Sequence, residues 1–99
     1  MRMIKDFVEH LDEEIEGAKE YAEKYVEYKA KGNMSRANKY KEMANDELKH
    51  TGYIHDMALQ EIEELKKVYT APVDMQEKWN KAHAEYVEKV AWIKQMLTL

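Results

Sequence analysis

The stretch Ile4-Lys5-Asp6-Phe7-Val8-Glu9-His10-Leu11-Asp12-Glu13-Glu14-Ile15-Glu16-Gly17-Ala18 decides the fold class. Its apolar residues Ile4, Phe7, Val8, Leu11, Ile15 and Ala18 recur at spacings of three and four, and the stripe continues through Tyr21, Ala22, Tyr25 and Tyr28. That period is one face of an α-helix, because a half-buried strand would alternate every second residue. A first helix is therefore expected over residues 4–31. Gly32-Asn33 tolerates a left-handed cap, and Asn33 or Ser35 can accept hydrogen bonds from the first amides of a following helix, so the chain should turn there.

Beyond the turn the same period returns. Ala37, Tyr40, Met43, Ala44, Leu48, Thr51, Ile54, Ala58, Ile62, Leu65 and Val68 predict a second helix over 35–69. Gly52 inside it costs about 1 kcal/mol relative to Ala, too little to break so long a pattern. Thr70-Ala71-Pro72 should stop it, since Pro disfavours helical geometry in the residue before it. Asp74, followed three residues later by Glu77, has the form of a capping box. It predicts a third helix over 74–97 with a stripe of Met75, Trp79, Ala82, His83, Tyr86, Val90, Ile93 and Leu97.

Composition supports an all-α chain and narrows its chemistry. Of 99 residues, 44% are hydrophobic and 36% charged, with three Gly and one Pro, which suits amphipathic helices in one domain. The net charge of -4, with Lys and Arg interleaved among Glu, provides no basic footprint for nucleic acid. No run approaches the ~20 apolar residues of a membrane span, and the polar opening argues against a signal peptide. A cytoplasmic location is expected. With zero Cys, disulfides and thiolate metal sites are excluded, so any metal must be held by carboxylate and imidazole. No Gly-rich phosphate loop and no Ser, His and Asp constellation is present. Helix 2 would be ~50 Å long at 1.5 Å per residue, longer than its neighbours, which favours self-association or a partner.

Three polar residues interrupt the stripes. Glu14 lies three after Leu11 and four before Ala18, Glu47 lies three after Ala44 and four before Thr51, and His50 follows one turn later. All three are expected to point toward the core. In a hairpin turning near residue 33 they also share one level, because Glu14 precedes Gly32 by 18 residues while Glu47 and His50 follow it by 15 and 18. The Glu-x-x-His spacing places carboxylate and imidazole one turn apart on one face. Spacing alone says little, since 15 Glu and four His in this chain give roughly 0.6 such matches by chance. Placement in the seam opposite a seam carboxylate is the stronger sign, as buried carboxylates are costly unless neutralised. Two readings stand: a metal site, or hydrogen-bonded seam residues that set helix register. His83 reads as a hydrogen-bonded core histidine, with ligation as the alternative, His10 and His55 read as surface residues, and Tyr21, Tyr25 and Tyr40 as core or lining of the site.

Glu14, Tyr21 seven residues on, Gly32 at the turn, and Glu47-Leu48-Lys49-His50 together resemble the first helical pair of the ferritin-like di-iron family, as in rubrerythrin and bacterioferritin. The likeness covers residues 4–65. It implies that Glu14 is a terminal iron ligand, that Glu47 bridges two metals and that His50 caps one of them. The family's second Glu-x-x-His has no counterpart in the stripe of helix 3, so one chain supplies half a site. Two chains would supply four carboxylates and two imidazoles, similar to encapsulated ferritins, although no encapsulation tail is recognisable. The resemblance thus implies a ferritin-like four-helix bundle completed by homodimerisation or higher assembly. Two iron ions per dimer are expected, with manganese or zinc as alternatives, and oxygen or peroxide as oxidant. The rival expectation is a metal-free, non-enzymatic helical scaffold or interaction module.

Overall fold

The computed structural model describes residues 2–68 and 73–99, and these form three helices, α1 (Arg2–Ala30), α2 (Met34–Val68) and α3 (Val73–Met96), with no strand among the described residues. Each helix lies within two residues of its expected span. The stop expected at Thr70-Ala71-Pro72 and the cap expected from the Asp74 side chain lie outside the described residues.

Gly32 and Asn33 build the turn between α1 and α2 from backbone chemistry. Gly32 takes the left-handed region, with φ of 77°, where an L side chain would crowd the following carbonyl. Its N–H donates to the Lys29 carbonyl at 3.0 Å and the Asn33 N–H donates to the Tyr28 carbonyl at 2.9 Å, the paired bonds of a Schellman cap. Asn33 then serves as the N-cap of α2: its Oδ1 accepts from the Arg36 N–H at 3.2 Å and its carbonyl from the Ala37 N–H at 3.0 Å. Of the two capping residues read from the sequence, Asn33 is the one that acts. Two residues therefore end one helix and start the next, which fixes the register of the hairpin.

Small side chains line that hairpin. Ala18 and Ala22 of α1 and Ala37, Ala44 and Ala58 of α2 are buried, joined by Leu11, Ile15, Tyr25 and Ile54. Alanine at facing positions lets two helices approach closely with little loss of side-chain entropy. Thr51 is the buried polar residue of the seam, and its hydroxyl is satisfied by donating to the Leu48 carbonyl at 2.7 Å.

The third helix folds back along α1. Near its start, Met75 and Trp79 pack with Ile4, Ala58 and Ile62, and toward its end Ile93 and Leu97 join Leu11, Ile15 and Tyr25. Lys29 Nζ donates to the Leu99 carbonyl, tying the chain's last residue to the top of α1. The result is an up-down-up bundle measuring 56 × 18 × 17 Å. On α1, the residues that border α3 include Val8, Ile15, Glu16 and Lys19. Glu14 lies ~100° around the helix from Ile15, and Tyr21 and Tyr28 lie further round in the same sense. This side of the α1–α2 hairpin is the one α3 does not cover.

Almost every stripe residue on the described side chains is buried or half-buried. Met43 is the exception at 40% exposed, because it looks out from the uncovered side of the hairpin. His55, expected at the surface, is only 13% exposed. The reason is that α2 has neighbours on two sides, so its buried arc extends past the α1-facing stripe to a ring packed against Trp79, His83 and Tyr86.

The turn and the core are separable by mutation. A Cβ at Gly32 would meet no atom within 4 Å, so Gly32→Ala should cost about 1 kcal/mol from backbone conformation alone. Leu11→Ala, at a fully buried position, should cost 2–5 kcal/mol, about the usual range for a truncated core leucine. Urea unfolding followed by circular dichroism measures both, and a neutral Gly32→Ala would mean that the left-handed cap does not hold the turn.

Candidate metal centre

The register set at Gly32 brings Glu14 of α1 level with Glu47 and His50 of α2. One ligand atom from each of the three lies within 4.8 Å of the others. His50 Nδ1 is 3.8 Å from a carboxylate oxygen of Glu14 and 3.8 Å from one of Glu47. The Glu47 carboxylate also rests against the α1 backbone at Gly17, where an added Cβ would stand 3.7 Å from Oε2. A glycine there leaves this flank of the carboxylate uncrowded.

The three residues do not point into the core as expected. Glu14 and Glu47 are half-buried at the edge of the seam, and His50 is 55% exposed. The physical reason is the alanine packing: with small residues filling the centre of the interface, longer side chains at its margin extend past it toward solvent. The constellation is thus an open cluster on the uncovered side of the hairpin.

The two carboxyl groups compete for a proton. Hydrogen bonding with Glu47 holds Glu14 below its ordinary pKa, and the nearby His10 and His50 act in the same direction against the effect of burial. The same bond pushes Glu47 up, reinforced by burial and by the negative charge of Glu14. Glu14 is therefore the ionised partner and Glu47 the one that retains a proton longer. A divalent cation would offset the negative charge of the pair more fully than the neighbouring imidazoles do, and carboxylate with imidazole suits iron, manganese or zinc. The donors fit a metal.

The other polar candidates separate from this group. His83 sits among His55, Trp79 and Tyr86 between α2 and α3. The described contacts of His83 are aromatic, with no hydrogen bond among them, so its expected bond is not seen. His55 Nε2 is buried there without a hydrogen-bond partner, a feature that sequence reading missed because it treated α2 as having one neighbour. Tyr21 and Tyr40 face each other with ring centroids 6.2 Å apart, Tyr40 stacks on Tyr28 at 5.5 Å, and Tyr25 is buried in the core. Tyr21 lies two turns from Glu14, and its described contacts are with apolar and aromatic neighbours rather than the carboxylates.

No family model, curated protein or solved structure matches this chain. No described helix is long and apolar enough to cross a membrane.

The carboxyl pair has a pH signature. A raised pKa at Glu47 contributes stability that is fully present below the ordinary carboxylate range and is lost as pH rises through the raised value. The lowered pKa of Glu14 contributes stability that is present above that range and lost as pH falls. Glu47→Gln, which imitates the protonated form, should gain on the wild type as pH rises through and above the carboxylate range. Urea midpoints of both proteins in chelator, measured across that range, test this, and a constant difference at every pH would show that the two carboxyls do not share a proton.

Proposed function

We propose that this chain is a metal-binding protein of ferritin-like di-iron type, with Glu14, Glu47 and His50 as ligands and a second copy of the chain completing the site. The observation that carries this reading is the convergence of two carboxylates and an imidazole from two helices within 4.8 Å, on a side of the hairpin that α3 leaves uncovered. Support for the second copy comes from what surrounds the cluster. Met43, His50 and Met57 follow one another at seven-residue intervals along α2, and the two methionines are 40% and 48% exposed. Residues at that interval form one seam of a helix, and an exposed apolar seam flanking polar donors suits contact with a like surface. Two copies would bring four carboxylates and two imidazoles, enough for two ions per dimer in a four-helix arrangement.

Carboxylate-bound iron supplies one-electron chemistry toward oxygen or peroxide, as in oxidation of Fe(II) for iron handling or peroxide defence. The chain's own residues would contribute binding and charge. Glu14 enters already ionised, Glu47 must release its proton before both carboxylates can bind, and His50 must be neutral. Metal uptake should therefore release protons and weaken in acid. Manganese and zinc satisfy the same donors.

Added Fe(II) under anaerobic conditions, Mn(II) or Zn(II) should stabilise the wild type by about 2.7 kcal/mol at a free concentration 100-fold above Kd. Glu47→Ala/His50→Ala should show no gain, as measured by thermal unfolding with and without metal. Sedimentation should give a dimer with one ion per chain, and Met43→Glu/Met57→Glu should be monomeric. A monomeric wild type holding two ions per chain overturns the shared site. Absence of any metal-linked gain leaves the cluster as a register-setting feature of a metal-free interaction module.

A further inference from the structure

The interleaving of Lys and Arg with Glu breaks down at one end of the bundle. Residues 28–41, the turn and the helix ends on either side of it, hold Lys29, Lys31, Arg36, Lys39 and Lys41, five of the 16 basic residues and none of the 20 acidic ones. Lys94, in the last turn of α3, lies toward the same end. Lys29, Lys31, Arg36, Lys39 and Lys94 are exposed, and Met34 stands among them beside the turn, 45% exposed. The segment is bounded by Glu27 and Glu42, and Glu27 is already shared by Lys24 at 3.2 Å and Lys31 at 3.1 Å. Among the described residues no acidic side chain pairs with Lys29, Arg36, Lys39, Lys41 or Lys94. We propose that this end of the bundle docks on an anionic lipid bilayer, with its cations at the headgroups and Met34 at the acyl boundary.

Helix stability does not account for this charge. Cations suit the C-terminal ends of α1 and α3, where the helix dipole is negative, but Arg36 stands in the first turn of α2, at the positive end, with Lys39 and Lys41 in the next turn. With Asn33 as N-cap, Arg36 occupies the third helical position, where a capping box would carry Glu or Gln. Like charges gathered around one turn repel each other. The fold offsets part of this by resting Lys31 and Arg36 over the Tyr28 ring, and Lys29 and Lys41 over the Tyr25 ring, 5.4–5.7 Å from the centroids. An anionic surface would offset the remainder. A bilayer suits this end better than a nucleic acid does. Tyr28 and Tyr40 stack on each other and Tyr25 is buried, so these rings are not open to stack a base. Met34 would face phosphates on a nucleic acid, whereas at a bilayer it meets the acyl boundary. The blunt end, 18 × 17 Å across, matches a flat surface, and Lys41, the cation of the segment furthest along α2, lies only ~12 Å from the turn.

Flotation of the wild type with vesicles of phosphatidylcholine, alone or mixed with phosphatidylserine, tests the proposal. Binding should require phosphatidylserine and fall as salt is raised. Each cation near an anionic surface strengthens adsorption about fivefold, so Arg36→Gln/Lys39→Gln/Lys94→Gln should bind ~100-fold more weakly. Lys66→Gln/Lys67→Gln/Lys78→Gln removes as many charges at the opposite end and should bind as the wild type does, with circular dichroism to establish that both variants are helical. Arg36→Glu, which supplies the capping box, should raise the thermal midpoint while weakening adsorption more than Arg36→Gln does. Met34→Ser should bind several-fold more weakly at every salt concentration, and an unchanged affinity overturns the apolar contact. No binding to phosphatidylserine vesicles, or equal losses in the two triple variants, overturns the docking surface. Tighter binding to duplex DNA or single-stranded RNA than to vesicles at the same salt assigns this end to nucleic acid and overturns it too.

Discussion

Everything in this molecule depends on the close approach of α1 and α2 at a register set by two backbone hydrogen bonds. Alanines at 18, 22, 37, 44 and 58 occupy the interface, and the left-handed Gly32 directs the chain straight back on itself. A larger residue at any of those alanines would push the helices apart or shift one along the other, because close-packed interiors absorb added volume poorly. The same geometry determines where polar side chains can go. With the centre of the interface filled by methyl groups, a glutamate near it reaches the margin, where it can meet a partner and still touch water.

That position accounts for the electrostatics of the cluster. Two carboxylates fully buried together would be prohibitively costly, and two fully exposed would scarcely interact. At the margin their contact holds Glu14 below and Glu47 above the ordinary carboxylate value, with imidazoles close enough to favour the charged form of Glu14. The third helix, by covering the opposite flank, completes a core that two helices alone could not close. It leaves the side that carries Glu14, Glu47 and His50 uncovered.

Much of this was legible in the residues themselves. The three helices follow from the apolar period, and the turn follows from Gly32-Asn33, because both are local properties that neighbouring side chains reinforce. Counting residues from the turn also brought Glu14, Glu47 and His50 to one level, since an antiparallel hairpin conserves that count. The depth of those residues was not legible. Seam position places a side chain near an interface, but the volume of its neighbours decides whether it enters the core or skirts it. His55 shows the complementary difficulty: a stripe calculated against one partner underestimates burial when a second helix packs alongside, and which flank α3 would take is a tertiary fact with no local signal.

The turn at Gly32 has a consequence for how the chain can vary in length. Glu14 and the Glu47–His50 pair are each set by counting outward from one cap, so every residue between 15 and 46 is a unit of measurement. A single insertion on either arm would rotate its side chains by ~100° and move them ~1.5 Å along the axis, separating the cluster even if both helices stayed intact. Insertions of a whole number of turns on both arms at once would restore the match. The hairpin is thus a ruler measured from its turn, and the spacing of the carboxylate–imidazole cluster is a property of how many residues each arm holds rather than of the cluster's own side chains.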